Sequence, residues 1–264
     1  MKKRLIIAGM HRCGTSFFAS WMKDMGLSLG EKLIGATPSN TRGHFEDLAI
    51  VEFHEELLHY NQTNLYESSD KKMIFNESHI AKARLLVSLR DEQNDQWGWK
   101  QPRATLFLEL WNQLGVDFLY VFLIRDPMDV VNSLIRREAH KFLYKFDEET
   151  GPLKRQTYLS NVAEHALKYI AMYERHMYEV IQFIDSKEET RTLIADFHDF
   201  PSVGRSYYEF LKVQWGLQLE WCDPKAILSP DMKIKGKEFL FSEKQSFEKC
   251  YDQYRYLQDL CLGA

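Results

Sequence analysis

Near the start of the chain the apolar residues switch period. Leu5, Ile6, Ile7 and Ala8 form a short run that ends in Gly9, after which Phe17, Phe18, Trp21, Met22 and Met25 recur at helical spacing until Gly26. This change predicts a strand, a tight turn and a helix over Thr15 to Met25. Leu48, Val51, Leu57 and Leu58 fit a helix from Asp47 to Tyr60. The unbroken apolar run from Phe118 to Ile124 is rich in β-formers, the pattern of a strand covered on both faces. Asp126-Pro127 opens a helix through about Arg137, with Pro127 suited to its first turn and Asp129 to its positive end. Arg155 to Asp185 reads as one long helix whose polar breaks leave room for two, Thr192 to Phe197 as a strand, and Val203 to Trp215 as a further helix. Strands alternating with helices predict an α/β fold, a parallel sheet with helices on both faces. Asp147 to Pro152 and Pro224 to Gly236 are polar, punctuated by Gly and Pro, and read as loops bordering a site.

Composition bounds this picture. A chain of 264 residues with 45% hydrophobic and 14% aromatic content is expected to form one domain, 1–264, around one core. A formal charge of −4 gives no general basic field, so nucleic acid is not an expected partner and any polyanion must be held by a local cluster. Cys13, Cys222, Cys250 and Cys261 form no C-x-x-C pair and no disulfide framework, which suits a reducing cytoplasm. The apolar run after Met1-Lys2-Lys3-Arg4 is cut short by His11 and Arg12, too early for a signal peptide, and neither it nor Phe118 to Ile124 spans a bilayer. The expectation is a cytoplasmic chain without a transmembrane segment.

The best-placed chemistry is Gly9-Met10-His11-Arg12-Cys13-Gly14-Thr15-Ser16, whose glycines stand at Walker A spacing between the first strand and the first helix. Such a loop points backbone N–H groups and a helix N-terminus at one anion. An NTPase needs Lys after the second glycine; here Thr15 stands there, and Arg12 is the loop's cation. The loop suits a phosphate without the triphosphate–magnesium arrangement. Arg125 ends the apolar strand and Ser133 follows eight residues on, about two turns into the next helix, where a second anion fits. Read without the first loop, Arg125 pairs with Asp126 or Asp129 and Ser133 is an ordinary helix residue.

Taken together, the loop, Gly43-His44-Phe45-Glu46, Trp97-Gly98-Trp99-Lys100-Gln101-Pro102-Arg103 and Arg125-Asp126-Pro127 with Ser133-Leu134 resemble, in order, the sulfotransferases that use 3'-phosphoadenosine 5'-phosphosulfate (PAPS), with the pattern nearest to bacterial and Golgi-type members. Asp196-Phe197-His198-Asp199 before Pro201 is a looser match. The resemblance implies a P-loop-like α/β fold and an enzyme that moves the sulfuryl group of PAPS to an acceptor hydroxyl on a carbohydrate, lipid, peptide or small metabolite, with no metal expected. It implies that Arg12, Cys13, Gly14, Thr15 and Ser16 hold the 5'-phosphosulfate, that Arg125 and Ser133 hold the 3'-phosphate, and that Phe17 stacks on adenine. Two departures stand out: Cys13 replaces a commoner serine, and Gln101 replaces the aspartate of the Lys-Asp-Pro-Arg variant.

For catalysis the resemblance places Arg12 and Lys100 as cations over the transferring group and Glu46 as the base, with His44 as the alternative base. Glu46 and Asp47 also stand where a helix starts, and an acid there serves equally well as a cap. A P-loop kinase-like protein keeps the loop but leaves Thr15 unexplained. A silent nucleotide-binding relative is expected to have lost one of Arg12, Glu46, Lys100, Arg125 and Ser133, and all are present. His54-Glu55-Glu56-Leu57-Leu58-His59 spaces its histidines five apart, about 140° around a helix, and His165 and His176 stand about 16 Å apart along one. Neither pair suits a metal. Lys235-Gly236-Lys237 faintly matches a basic segment over the 3'-phosphate.

Overall fold

Four strands, β1 (Lys3–Ala8), β2 (Gln96–Lys100), β3 (Leu119–Ile124) and β4 (Thr192–Asp196), pair in parallel in the order β2-β1-β3-β4. Ile6 lies opposite Trp99 on one side and Tyr120 on the other, and Phe122 lies opposite Ile194. From Leu5 in β1 and from the second residue in the other three, the strands are buried, which explains why β1 and β3 read as unbroken apolar runs. The structure is a computed structural model that describes residues 2–37, 43–64, 72–186, 191–227 and 244–262. Lys235-Gly236-Lys237 and most of the segment expected to loop after Pro224 lie outside the described residues.

The helices are α1 (Thr15–Asp24), α2 (Leu48–Tyr60), α3 (Glu77–Gln93), α4 (Leu108–Asn112), α5 (Pro127–Lys145), α6 (Thr150–Ser160), α7 (Val162–Asp185), α8 (Phe200–Glu209) and α9 (Glu248–Gln258). They flank the sheet: α1 packs on β1 and β2, and α9 on β3 and β4. The segment read as one helix or two is two, parted at Asn161. Asp147 to Pro152, expected to loop, starts α6 instead. Asp147 Oδ1 accepts from the N–H of Glu149 and Thr150, and Pro152 falls in the first turn, where its missing N–H costs nothing. α8 runs on into a π-helical turn, Phe210–Gln214, ending at Trp215.

The strand order places the site. The chain passes from β1 to β2 on one side and then to β3 on the other, so the carboxyl end of β1 is the point where the connections diverge. Open α/β sheets bind ligands in that crevice.

Candidate active site

The loop after β1 is shaped by close backbone approach. Gly9 has φ +139°, and a Cβ there would stand 2.4 Å from the carbonyl oxygen of Leu123 in β3. Gly14 has φ +87°, and its Cβ would strike the Phe197 ring at 2.2 Å. Side chains are therefore excluded at both positions. The Cys13 N–H donates to the Met10 carbonyl at 3.1 Å, and no side chain caps the first turn of α1. A glycine loop leading into a helix N-terminus without a side-chain cap is an arrangement that suits an anion.

Arg12 also has positive φ, 75°, and this conformation carries its side chain to α5. Its Nε donates to Ser133 Oγ at 2.8 Å, while Arg125 Nη1 donates to the Arg12 carbonyl oxygen at 3.3 Å. Both anion sites suggested by the sequence are thus one continuous surface. Arg12 keeps solvent access at the mouth although protein crowds its guanidinium. That desolvation, with Arg137, Arg125 and Arg136 nearby, lowers its pKa to about 10, so it stays charged at neutral pH.

Arg125 does pair with Asp129, as its sequence neighbourhood suggested: Nη2 lies 2.8 Å from Asp129 Oδ2. The same oxygen lies 3.2 Å from Nε2 of His198. The His198 hydrogen bond, helped by Arg125, holds the Asp129 carboxyl well below the usual carboxylate range. Tyr173 OH donates to the Arg125 carbonyl at 2.9 Å, and the guanidinium sits over Phe197 at 4.9 Å. Ser133 is more than an ordinary helix residue, since it accepts from Arg12.

Lys100 ends β2 and is 1% exposed. Its Nζ lies 2.6 Å from Glu46 Oε1 and 3.2 Å from Ser16 Oγ. Burial lowers the Lys100 pKa and the Glu46 carboxylate opposes that shift. Glu46 is delivered by a short antiparallel pairing: its carbonyl accepts from Ile34 N–H at 2.8 Å, and Leu48 N–H donates to Lys32 at 2.9 Å. The cap is Asp47, whose Oδ1 accepts from Ala49 N–H at 3.1 Å and whose Oδ2 pairs with Arg90 at 2.7 Å. His44 Nε2 lies 3.0 Å from Thr37 Oγ1, and its Nδ1 lies 4.0 Å from Glu46. Partial burial lowers the His44 pKa despite Glu46.

Cys13 of the loop and Phe17 of α1 are packed into the core. Cys13 is fully buried, and burial pushes its thiol up to about 12. Phe17 is 4% exposed, its ring edge-on to Phe197 and Phe200, so little of it is left for a ligand. Gln101 accepts from Arg103 N–H and starts a 3-10 turn, which is the turn-forming work an aspartate does elsewhere. His54 accepts from Trp111 Nε1 at 3.1 Å, and His165 stacks on Tyr158 at 4.0 Å. Among the described residues no group of three His, Cys, Asp or Glu is arranged to hold a metal, and no helix is long and apolar enough to cross a membrane.

The sequence names His198 only within the looser match Asp196-Phe197-His198-Asp199 and gives it no role. The available signal was positional: His198 follows the end of β4 much as Arg125 follows the end of β3.

No family model matches the chain, and no curated protein matches it in sequence. Solved structures do. The sulfotransferase domain of the Synechococcus PCC 7002 olefin synthase superposes with a TM-score of 0.58 at 11% identity, over 98% of this chain and 96% of that one. Sulfotransferase STF1 from Mycobacterium tuberculosis H37Rv gives 0.53 at 12% identity, over 96% and 77%. At such identities the likeness is one of fold.

Proposed function

For a chain with the sulfotransferase fold, we propose transfer of the sulfuryl group of PAPS to an acceptor hydroxyl. One observation carries the reading: the buried Lys100 ammonium joins Ser16 of the anion cradle to the Glu46 carboxylate. A cation for the transferring group and an acid placed to act as base therefore meet at one point. The donor surface fits the rest of the molecule. The glycine cradle with Arg12 suits the 5'-phosphosulfate, and Arg125 with Ser133 suits the 3'-phosphate, as charge-assisted donors to a separate anion. The reading takes residues 1–264 as one catalytic domain of a reducing, cytoplasmic setting. Its acceptor is a hydroxyl of a carbohydrate, lipid, peptide or small metabolite.

The mechanism follows from the side chains. Glu46 takes the proton of the acceptor hydroxyl as its oxygen bonds to sulfur, and the bond from sulfur to the 5'-phosphate oxygen breaks in line. Arg12 and Lys100 stabilise the negative charge that grows on the sulfuryl and bridging oxygens. Lys100 has a second part. In the free chain it holds Glu46 as an ion pair. Turning Nζ toward the donor anion loosens that pair and leaves the Glu46 carboxylate free to face the acceptor hydroxyl.

The test is turnover of sulfur-labelled PAPS in a chelator, with pooled acceptors of each class. Wild type is expected to release 3',5'-ADP and label an acceptor. Glu46→Gln is expected to lose roughly 10²–10⁴ of that rate with unchanged 3',5'-ADP affinity. Wild-type turnover in Glu46→Gln removes Glu46 as base, and an absence of transfer to every class contradicts the proposal.

A further inference from the structure

We propose that His198 is a proton-linked member of the terminal-phosphate site: in its protonated form it neutralises Asp129 and so releases Arg125 to the incoming phosphate. This rests on the donor reading above and gives a role to a residue that the looser match at Asp196-Phe197-His198-Asp199 leaves without one.

The geometry is a competition for one oxygen. Asp129 Oδ2 receives Arg125 Nη2 at 2.8 Å, Arg125 Nε at 3.3 Å and His198 Nε2 at 3.2 Å. A phosphate arriving at Arg125 and Ser133 faces the Asp129 charge within a few ångströms, where like charges repel strongly. An imidazolium on Asp129 cancels that repulsion, and a neutral imidazole leaves it standing. His198 is well held for the task. Its N–H donates to Asp196 Oδ1 at 2.9 Å, and Asp196 Oδ2 is fixed from α9 by Tyr254 OH at 2.6 Å and Gln258 Nε2 at 2.9 Å. The preceding residue, Phe197, touches both halves of the site, lying against Gly14 and under Arg125.

The charged groups around His198 set the direction of its titration. The hydrogen bond and charge of Asp129, with Asp196, raise its pKa above the ordinary 6.5, against partial burial and the charge of Arg125. Asp199 adds a carboxylate on its own segment. From α9, Tyr251 stands by Asp126 and Asp129, but burial and those carboxylates push its hydroxyl up to about 12, so it stays neutral through the range in question. A dianionic phosphate would raise His198 further. Binding then takes up a proton, and affinity rises as pH falls, by at most about tenfold per pH unit for one proton.

The experiment is calorimetric titration with 3',5'-ADP and with 5'-AMP at about pH 8 and about pH 6.5, a span where the imidazole titrates. In wild type 3',5'-ADP is expected to bind roughly three- to tenfold tighter at the lower pH with proton uptake measurable in two buffers. AMP, which lacks the 3'-phosphate, is expected to stay level. His198→Gln keeps a neutral donor and is expected to lose the slope. Asp129→Asn is expected to lose it as well, and to bind more tightly than wild type at the higher pH. Selective 3',5'-ADP binding with no slope, or with the same slope in His198→Gln, overturns this inference and leaves the donor site standing. No preference for 3',5'-ADP over AMP at either pH overturns the donor reading itself.

Discussion

Glu46 and Asp47 are neighbours in the chain and serve different cations. From the sequence alone each is an acid at a helix start, and base and cap were equally open. The structure separates them because the backbone turns at Phe45, φ 54°, sending Asp47 to Ala49 and Arg90 and Glu46 to Lys100. The Asp47–Arg90 pair has side chains 2% and 8% exposed. Removing one partner of such a pair strands the other, so Asp47→Ala is expected to lower unfolding free energy by about 3–5 kcal/mol, measured by urea denaturation. A loss below about 1 kcal/mol, the range of exposed pairs, contradicts a buried structural role. Cys13 gives a second residue-scale prediction. With its thiol pushed up to about 12 by burial, it is expected to resist alkylation at mildly alkaline pH until the chain unfolds. Labelling of Cys13 in the folded protein contradicts that placement.

Each strand delivers one part of the site at its carboxyl end: β1 the cradle, β2 Lys100, β3 Arg125, and β4 the segment with His198. Gly9 is where two of these ends meet, its missing Cβ leaving room for the Leu123 carbonyl. Backbone cannot give way as a side-chain tip does, so Gly9→Ala is expected to destabilise by roughly 1–3 kcal/mol or more and to weaken nucleotide binding; an unchanged melting curve contradicts this packing. β1, β3, β4, α1, α2 and α5 were legible because their periods are clear. β2 was not, since Gln96-Trp97-Gly98-Trp99-Lys100 reads as polar residues around two aromatics, and the burial of Lys100 depends on Glu46 from a distant loop. α3 hid for a related reason. Its buried positions are His79, Ala83, Val87 and Arg90, two of them polar, and Arg90 is inside only because Asp47 meets it. α9 buries Cys250, Gln253, Tyr254 and Leu257, of which Gln253 breaks the apolar stripe that a helical period needs. Arg125 and Ser133 could be placed on one helix start by spacing, but the bond from Arg12 to Ser133 spans 121 residues and no local pattern shows it.

Across the whole molecule, buried histidines set the response to acid. His54 and His176 are fully buried and stay neutral, their pKa values lowered to about 3, mainly by burial. The unfolded chain binds protons near 6.5, so this stability is complete above that pH and is lost as pH falls toward 3. At about pH 5 each site is expected to have lost roughly 1–2 kcal/mol. His198, with its raised value, works in the opposite sense and only partly offsets the two. Stability by urea denaturation should therefore drop between neutral pH and about pH 5; a flat profile contradicts neutral burial of both rings. The proposed donor surface is a property of the same scale, drawing on β1, β3, α1 and α5 together. Its most direct test is calorimetric titration of the purified chain with 3',5'-ADP, beside AMP and magnesium-ATP, in wild type and Arg125→Ala. The account predicts clear preference for 3',5'-ADP in wild type and its loss in Arg125→Ala; a preference for magnesium-ATP, or 3',5'-ADP binding no tighter than AMP, would contradict it.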